Sequence, residues 1–280
     1  MLTSCTRQIA AWRTRLSLPK YEIFALRYAT RDARSSNHFL GGDPHDVPMP
    51  MDYFVWAAVG PDKTYIIDTG MSQADATARK RTFLNCPIES LSELSIKPDA
   101  VTDVVLTHLH YDHAGNFDKL PNATYHLQDK EMEYATGRCM SHKRLSHSYD
   151  VDDVTGLVRA NFAGKIQFHD GESELAPGLT LHRLGGHTPG MQCVRVNTAR
   201  GTVVLASDTS HFYENFINYR PFVTLVNQAE MLEGYRTLRR LADSLDHIVP
   251  GHDPLVMQKY PAMSKATEGL VVRLDVAPKG

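Results

Sequence analysis

Residues 104–117, VVLTHLHYDHAGNF, place an apolar strand-forming run directly before four side chains able to bind a metal: His108, His110, Asp112 and His113. A buried strand emptying into a polar loop is where α/β proteins usually carry their sites. Alternate residues of an extended segment point the same way, so His108, His110 and Asp112 can converge. His113 reaches a second point if the chain turns there into a helix. Imidazole and carboxylate ligands together suit zinc, iron or manganese. Four such groups packed this tightly point to two metals.

The chain around this cluster reads as alternating strands and helices. Residues 21–29 and the pair DYFVWAAVG and TYIIDTG are strand-like, the pair being joined by PDK as a hairpin. Between them lies a Gly/Pro/Asp-rich loop over 30–50. Residues 73–95 carry helical patterning broken near Pro87. After the cluster come a strand (ATYHL), a helix (QDKEMEYA) and a polar, irregular stretch over 137–164 with a helix near 152–162. Strand-like runs follow at 179–184, 192–196 and 202–206, then a helix over 228–243 and a last strand and loop, HIVPGHD. With no internal repeat, this predicts one layered α/β domain with helices outside packed sheets.

Composition removes several functions. Thirty basic and 32 acidic residues balance to a net charge of −2, and no basic block tracks a phosphate backbone, so nucleic acid is excluded as a partner. No stretch approaches the ~20 apolar residues a membrane span needs. Cys5, Cys86, Cys139 and Cys193 form no C-x-x-C pair and read as free thiols. Residues 1–20 have scattered arginines and no apolar core, so they are expected to be a lead-in segment ahead of a domain at 21–280. The expected location is the cytoplasm, with a homodimer as one option for assembly.

H-x-H-x-D-H resembles the signature of the metallo-β-lactamase superfamily, and the resemblance extends over roughly residues 50 to 255. It implies a four-layer αβ/βα sandwich and three further ligands downstream. LGGHTPG offers His187, VVLASDTS offers Asp208 and IVPGHD offers His252. Carried over, His108, His110 and His187 hold one metal, Asp112, His113 and His252 hold the other, and Asp208 bridges them. The implied cofactors are two zinc ions, with manganese, iron or cobalt as alternatives. Asp68, in IIDTG, is expected to support the metal-binding loop through hydrogen bonds rather than to ligate.

Among branches of that superfamily, the chain most resembles the N-acyl-homoserine lactonases and related metal-dependent lactonases. DTSHFYENF follows the bridging aspartate as the family's D-x-x-Y-x-x-E-N-F does, with His211 where the family has tyrosine. The implied reaction opens a lactone ring, of an acyl-homoserine lactone or another, aromatic, lactone, by a hydroxide shared between the metals. Asp112 would handle the proton and His211 would assist. That activity on acyl-homoserine lactones would be quorum quenching. Glyoxalase II, a thioester hydrolase, shares all seven ligands and is the competing reading; a non-catalytic metal-binding protein is the remaining one. The long loops 30–50 and 137–164 are expected to wall the substrate pocket, with Phe39, His45 and Met49 as contacts to the small-molecule substrate.

Overall fold

The computed structural model describes residues 18–279. Most of the expected lead-in, residues 1–17 including Cys5, lies outside the described residues. In chain order the strands are β1 (Glu22–Arg31), β2 (Met51–Val59), β3 (Thr64–Ile67), β4 (Thr82–Phe83), β5 (Asp103–Val105), β6 (Thr124–Gln128) and β7 (Ile166–His169). They continue with β8 (Glu172–Ala176), β9 (Leu179–Arg183), β10 (Gln192–Thr198), β11 (Gly201–Ser207), β12 (Ile248–Pro250) and β13 (Val271–Arg273). One sheet runs β13-β1-β2-β3-β5-β6-β7 with β4 paired to β1, and the other runs β12-β11-β10-β9-β8.

Period-two patterning sets both cores. Phe54, Trp56 and Ala58 of β2 pack toward the second sheet with Leu181, Val194 and Leu205. Tyr53, Val55 and Ala57 face the other way, against Leu91, Val154 and Leu157 beneath the outer helical layer. The second sheet is covered outside by the helix Gln228–Leu241 through Met231, Tyr235 and Leu238. The order helix–sheet–sheet–helix is the expected four-layer sandwich. No helix among the described residues is long and apolar enough to cross a membrane.

Two local expectations change. Helix over 73–95 shrinks to Gln73–Ala78, because β1 captures Thr82 and Phe83 as an edge strand and Pro87 cannot donate to a helix. The rest is a 3-10 segment, Glu89–Leu94. Strands β7, β8 and β13 are additions: they are short, and long-range pairing with β6, β9 and β1 rather than local pattern makes them strands.

The sheets meet through buried polar contacts at one edge. Gln192 N donates to Thr107 O (3.0 Å), Gln192 Nε2 donates to Leu106 O (2.8 Å), and the Thr107 and Ser207 hydroxyls lie 2.9 Å apart. β3, β5 and β6 run parallel, as do β11 and β12, so their C-terminal ends open on this edge together. Crevices beyond such strand ends are natural binding sites.

Candidate metal centre

Strand exits supply every member of the cluster. His108 and His110 follow β5, His187 follows β9, Asp208 follows β11 and His252 follows β12. All seven expected ligands are buried. The alternation expected to set Asp112 beside His108 and His110 ends at His110, which is still extended (φ −69°, ψ 152°). Tyr111–Ala114 is helical, and the turn carries Asp112 to the far side with His113 and His252. The structure sets His108 and His110 with His187, and Asp112 with His113 and His252, in place of the grouping read from spacing alone.

In the first group, His187 Nε2 lies 3.2 Å from His108 Nε2 and 2.9 Å from His110 Nδ1. In the second, Asp112 Oδ2 lies 3.8 Å from both His113 Nε2 and His252 Nε2. Asp208 stands between. Its Oδ2 is 3.3 Å from His187 Nε2, and its Oδ1 is 3.4 Å from His113 Nε2 and 2.9 Å from His252 Nε2. Gly251 permits the approach: a Cβ there would sit 2.8 Å from Asp208 Oδ1.

The outer ring atoms fix which nitrogens face inward. His187 Nδ1 is 2.6 Å from Thr224 O and His252 Nδ1 is 2.9 Å from Asp52 O. A carbonyl only accepts, so each Nδ1 carries the proton and each Nε2 presents a lone pair to the cluster. His113 Nδ1 is 2.7 Å from Asp68 Oδ2, while Thr107 N and Oγ1 donate to Asp68 Oδ1 and Oδ2. Asp68 thus links His113 to Thr107, in the left-handed region at φ 63°. Such conformations persist where the surroundings over-determine them.

His113 Nε2, His252 Nε2 and Asp208 Oδ1 are buried with no hydrogen bond. An orphaned buried polar atom costs about 1–3 kcal/mol. Three orphans and a triad of facing imidazole nitrogens, all converging, form a donor set that fits divalent cations of the zinc class. Burial and the neighbouring imidazoles hold His108 and His110 well below the usual histidine range. Burial also opposes charge on His113, but Asp208, Asp68 and Asp112 outweigh it and hold His113 well above that range.

His211 Nε2 lies 2.9 Å from Asp208 Oδ2, and its ring stacks on Phe222 at 3.5 Å and 15°. Tyr213, two residues on, does not stand in for the family's tyrosine. Its ring is buried beside Phe216 and beneath Lys259.

A cavity of about 170 Å³ opens over the cluster. The loop 30–50 lines it with Asn37 and His38, and the segment 137–164 with His147 and Ser148. Phe39, Met49 and His45 do not reach it. Phe39 is buried in a backbone bridge with Phe222 and, with Met49, borders a separate apolar groove of about 540 Å³. His45 is exposed. The loop folds this way because His38 Nε2 is bonded to Met49 O (2.7 Å), which turns the imidazole, not its neighbours, inward.

Sequence reasoning missed Glu131. Fully buried, it accepts from Leu109 N (3.0 Å), Tyr149 Oη (3.0 Å), Thr188 Oγ1 (2.6 Å) and Gly190 N (3.2 Å). It joins the His108–His110 turn to the His187 loop. Gly190 is required for that contact, since a Cβ there would fall 2.3 Å from Glu131 N. The available signal was helical spacing: Gln128, Glu131 and Ala135 lie on one stripe, which buries an acid.

A sequence profile of the metallo-beta-lactamase superfamily matches residues 49–258. An N-acyl homoserine lactonase of Bacillus sp is 30% identical over 136 residues, covering 48% of this chain and 49% of that one. The chain thus spans about half the length of the first curated relatives it matches. The N-acyl homoserine lactonase AiiB of Agrobacterium fabrum is 30% identical over 74% of this chain and 80% of its own. A solved quorum-quenching N-acyl homoserine lactone lactonase superposes with a TM-score of 0.70 at 21% identity, over 85% of this chain and 94% of that one.

Proposed function

Because the chain belongs to the metallo-beta-lactamase superfamily, we propose that it is a dinuclear metal-dependent hydrolase that opens a lactone ring. The observation that carries the two-metal reading is Asp208, whose two oxygens face two separate groups of donors. The lactone reading is supported by the AiiB relative, a lactonase by name, alignable over most of both chains. In this reading His108, His110 and His187 hold one ion and Asp112, His113 and His252 the other, with zinc the best fit and manganese, iron or cobalt alternatives. Bound there, the ions supply Lewis acidity and make water nucleophilic near neutral pH.

The chain's own groups do the rest. Asp68, Thr224 O and Asp52 O hold the Nδ1 atoms of His113, His187 and His252, so that each Nε2 faces the cluster. Asp112, at the cavity wall, takes the proton of the attacking water and returns it to the leaving ring oxygen. His211 donates its Nε2 proton to Asp208 Oδ2, holding that carboxylate across both groups, and its ring with Phe222 closes one wall.

His211→Phe is expected to lower kcat about 10²-fold with metal content intact. Unchanged kinetics with the same metal content would reduce His211 to a wall residue.

Zinc-loaded enzyme tested on a lactone panel, acyl-homoserine lactones included, and on S-lactoylglutathione decides the function. Turnover confined to lactones is the expected result. Faster thioester hydrolysis would support the glyoxalase II type, and two bound metals with no turnover a non-catalytic protein.

A further inference from the structure

The geometry points to a substrate that carries an oxyanion, a carboxylate or a phosphate ester, held by Arg31, Arg79 and Arg81 beside the reacting carbonyl. This rests on the lactone-hydrolase reading and specifies its substrate class.

All three arginines line the cavity over the metal cluster, on the side of Tyr53, Tyr111 and Asp112. Each is half-buried, neither solvated freely nor sealed away. Several arginines elsewhere in the fold have carboxylate partners: Arg27 with Asp52, Arg34 with Asp46, Arg220 with Asp43 and Glu214, Arg273 with Glu22 and Asp275. Among the described residues, no carboxylate lies within 4.0 Å of the guanidinium of Arg31, Arg79 or Arg81. Arg31 Nε is buried with no hydrogen-bond partner at all.

The other two are braced rather than neutralised. Arg79 lies 3.9 Å over the Tyr111 ring and donates to His147 O (2.8 Å). Arg81 donates from Nε to Tyr111 Oη (3.2 Å) and from Nη1 to Arg79 O (2.8 Å). Those bonds orient the planar guanidinium and leave further N–H groups of its five free. A preorganised fork of this kind binds a carboxylate or phosphate in two-point fashion. Among the described residues, the carboxylates on the cavity wall are Asp112 and Asp208, and both face the histidine clusters. The three guanidinium groups therefore place positive charge on this wall, which draws anions.

Past His110 and His187 the cavity continues into a space of about 110 Å³ bordered by Leu145, Leu225 and Val226, which none of the three arginines lines. The cavity is about 170 Å³, and the apolar groove beside Phe39 and Val47 shares no lining residue with it. The wall of His38 and Phe212, with ring centroids 4.7 Å apart, stands at that boundary.

The test uses zinc-loaded enzyme and three matched γ-lactones: 5-oxo-oxolane-2-carboxylate, its methyl ester, and the phosphate ester of the hydroxymethyl analogue. At least one anionic lactone should exceed the methyl ester by about tenfold or more in kcat/KM, chiefly through KM, and the larger value identifies the oxyanion. In Arg31→Gln and Arg81→Gln that ratio should collapse to about twofold or less. A preference for the ester, or a ratio unchanged in both variants, overturns the proposal. If none of the three is hydrolysed, the wider lactone panel decides the lactone reading separately. Calorimetric binding of 2-hydroxyglutarate, the opened form of the first lactone, then decides the anion site. About tenfold weaker binding in Arg81→Gln supports it, and equal binding overturns it.

Discussion

Replacing Asp208 by alanine is expected to reduce hydrolysis by about 10³-fold or more, roughly 4 kcal/mol of transition-state stabilisation, and to lower the bound metal below two per chain. Asp208 is in reach of both donor groups, with Oδ2 3.3 Å from His187 Nε2 and Oδ1 2.9 Å from His252 Nε2. Burial opposes its ionisation, but His252, His113 and His211 outweigh that and hold the carboxyl well below the usual carboxylate range. Alanine removes a carboxylate that both groups share. Metal analysis beside steady-state kinetics checks this. An Asp208→Ala protein that lacks metal yet hydrolyses lactones at the normal rate would falsify the two-metal scheme.

Glu131 should give the second large effect, without touching any expected ligand. Glu131→Ala leaves two backbone N–H groups and two hydroxyls without their shared acceptor. At about 1–3 kcal/mol per stranded donor, partly relieved by relaxation, the loss is roughly 3–5 kcal/mol, or about 10 °C in Tm. Glu131→Gln keeps the volume and one acceptor, so it should fold and expose the positioning role. Its zinc affinity is expected to fall about tenfold, as when groups that orient ligands are altered. A Gln variant with normal metal affinity and lowered Tm would make Glu131 a stability residue only.

Much of the site could be read from residue types in order, because its chemistry is local to strand ends. An apolar run followed by His108, His110, Asp112 and His113 needs no long-range information to suggest a metal. His187, Asp208 and His252 each follow a strand in a short Gly- or Ser-containing turn, and the resemblance supplied their order. The apparent misreadings are equally physical. Phe39 and Met49 look like pocket residues by hydrophobicity, but a bond from His38 to the Met49 carbonyl turns His38 into the cavity instead. The helix expected over 73–95 yields to a strand pairing with Ala29 and Thr30, contacts some fifty residues away that no local pattern encodes.

The cluster at 108–113 shows where the line falls. Alone, the sequence determined that the segment carries several side chains able to bind metal, and that a strand delivers them. It could not decide which donors stand together. That depended on the chain turning helical at Tyr111, which sends Asp112 away from His108 and His110 and toward His252, 140 positions downstream. The same holds for Glu131, and for the arginine wall. Their roles are set by partners brought in from distant strand ends, and such partners exist only once two sheets have packed and their C-terminal edges have met.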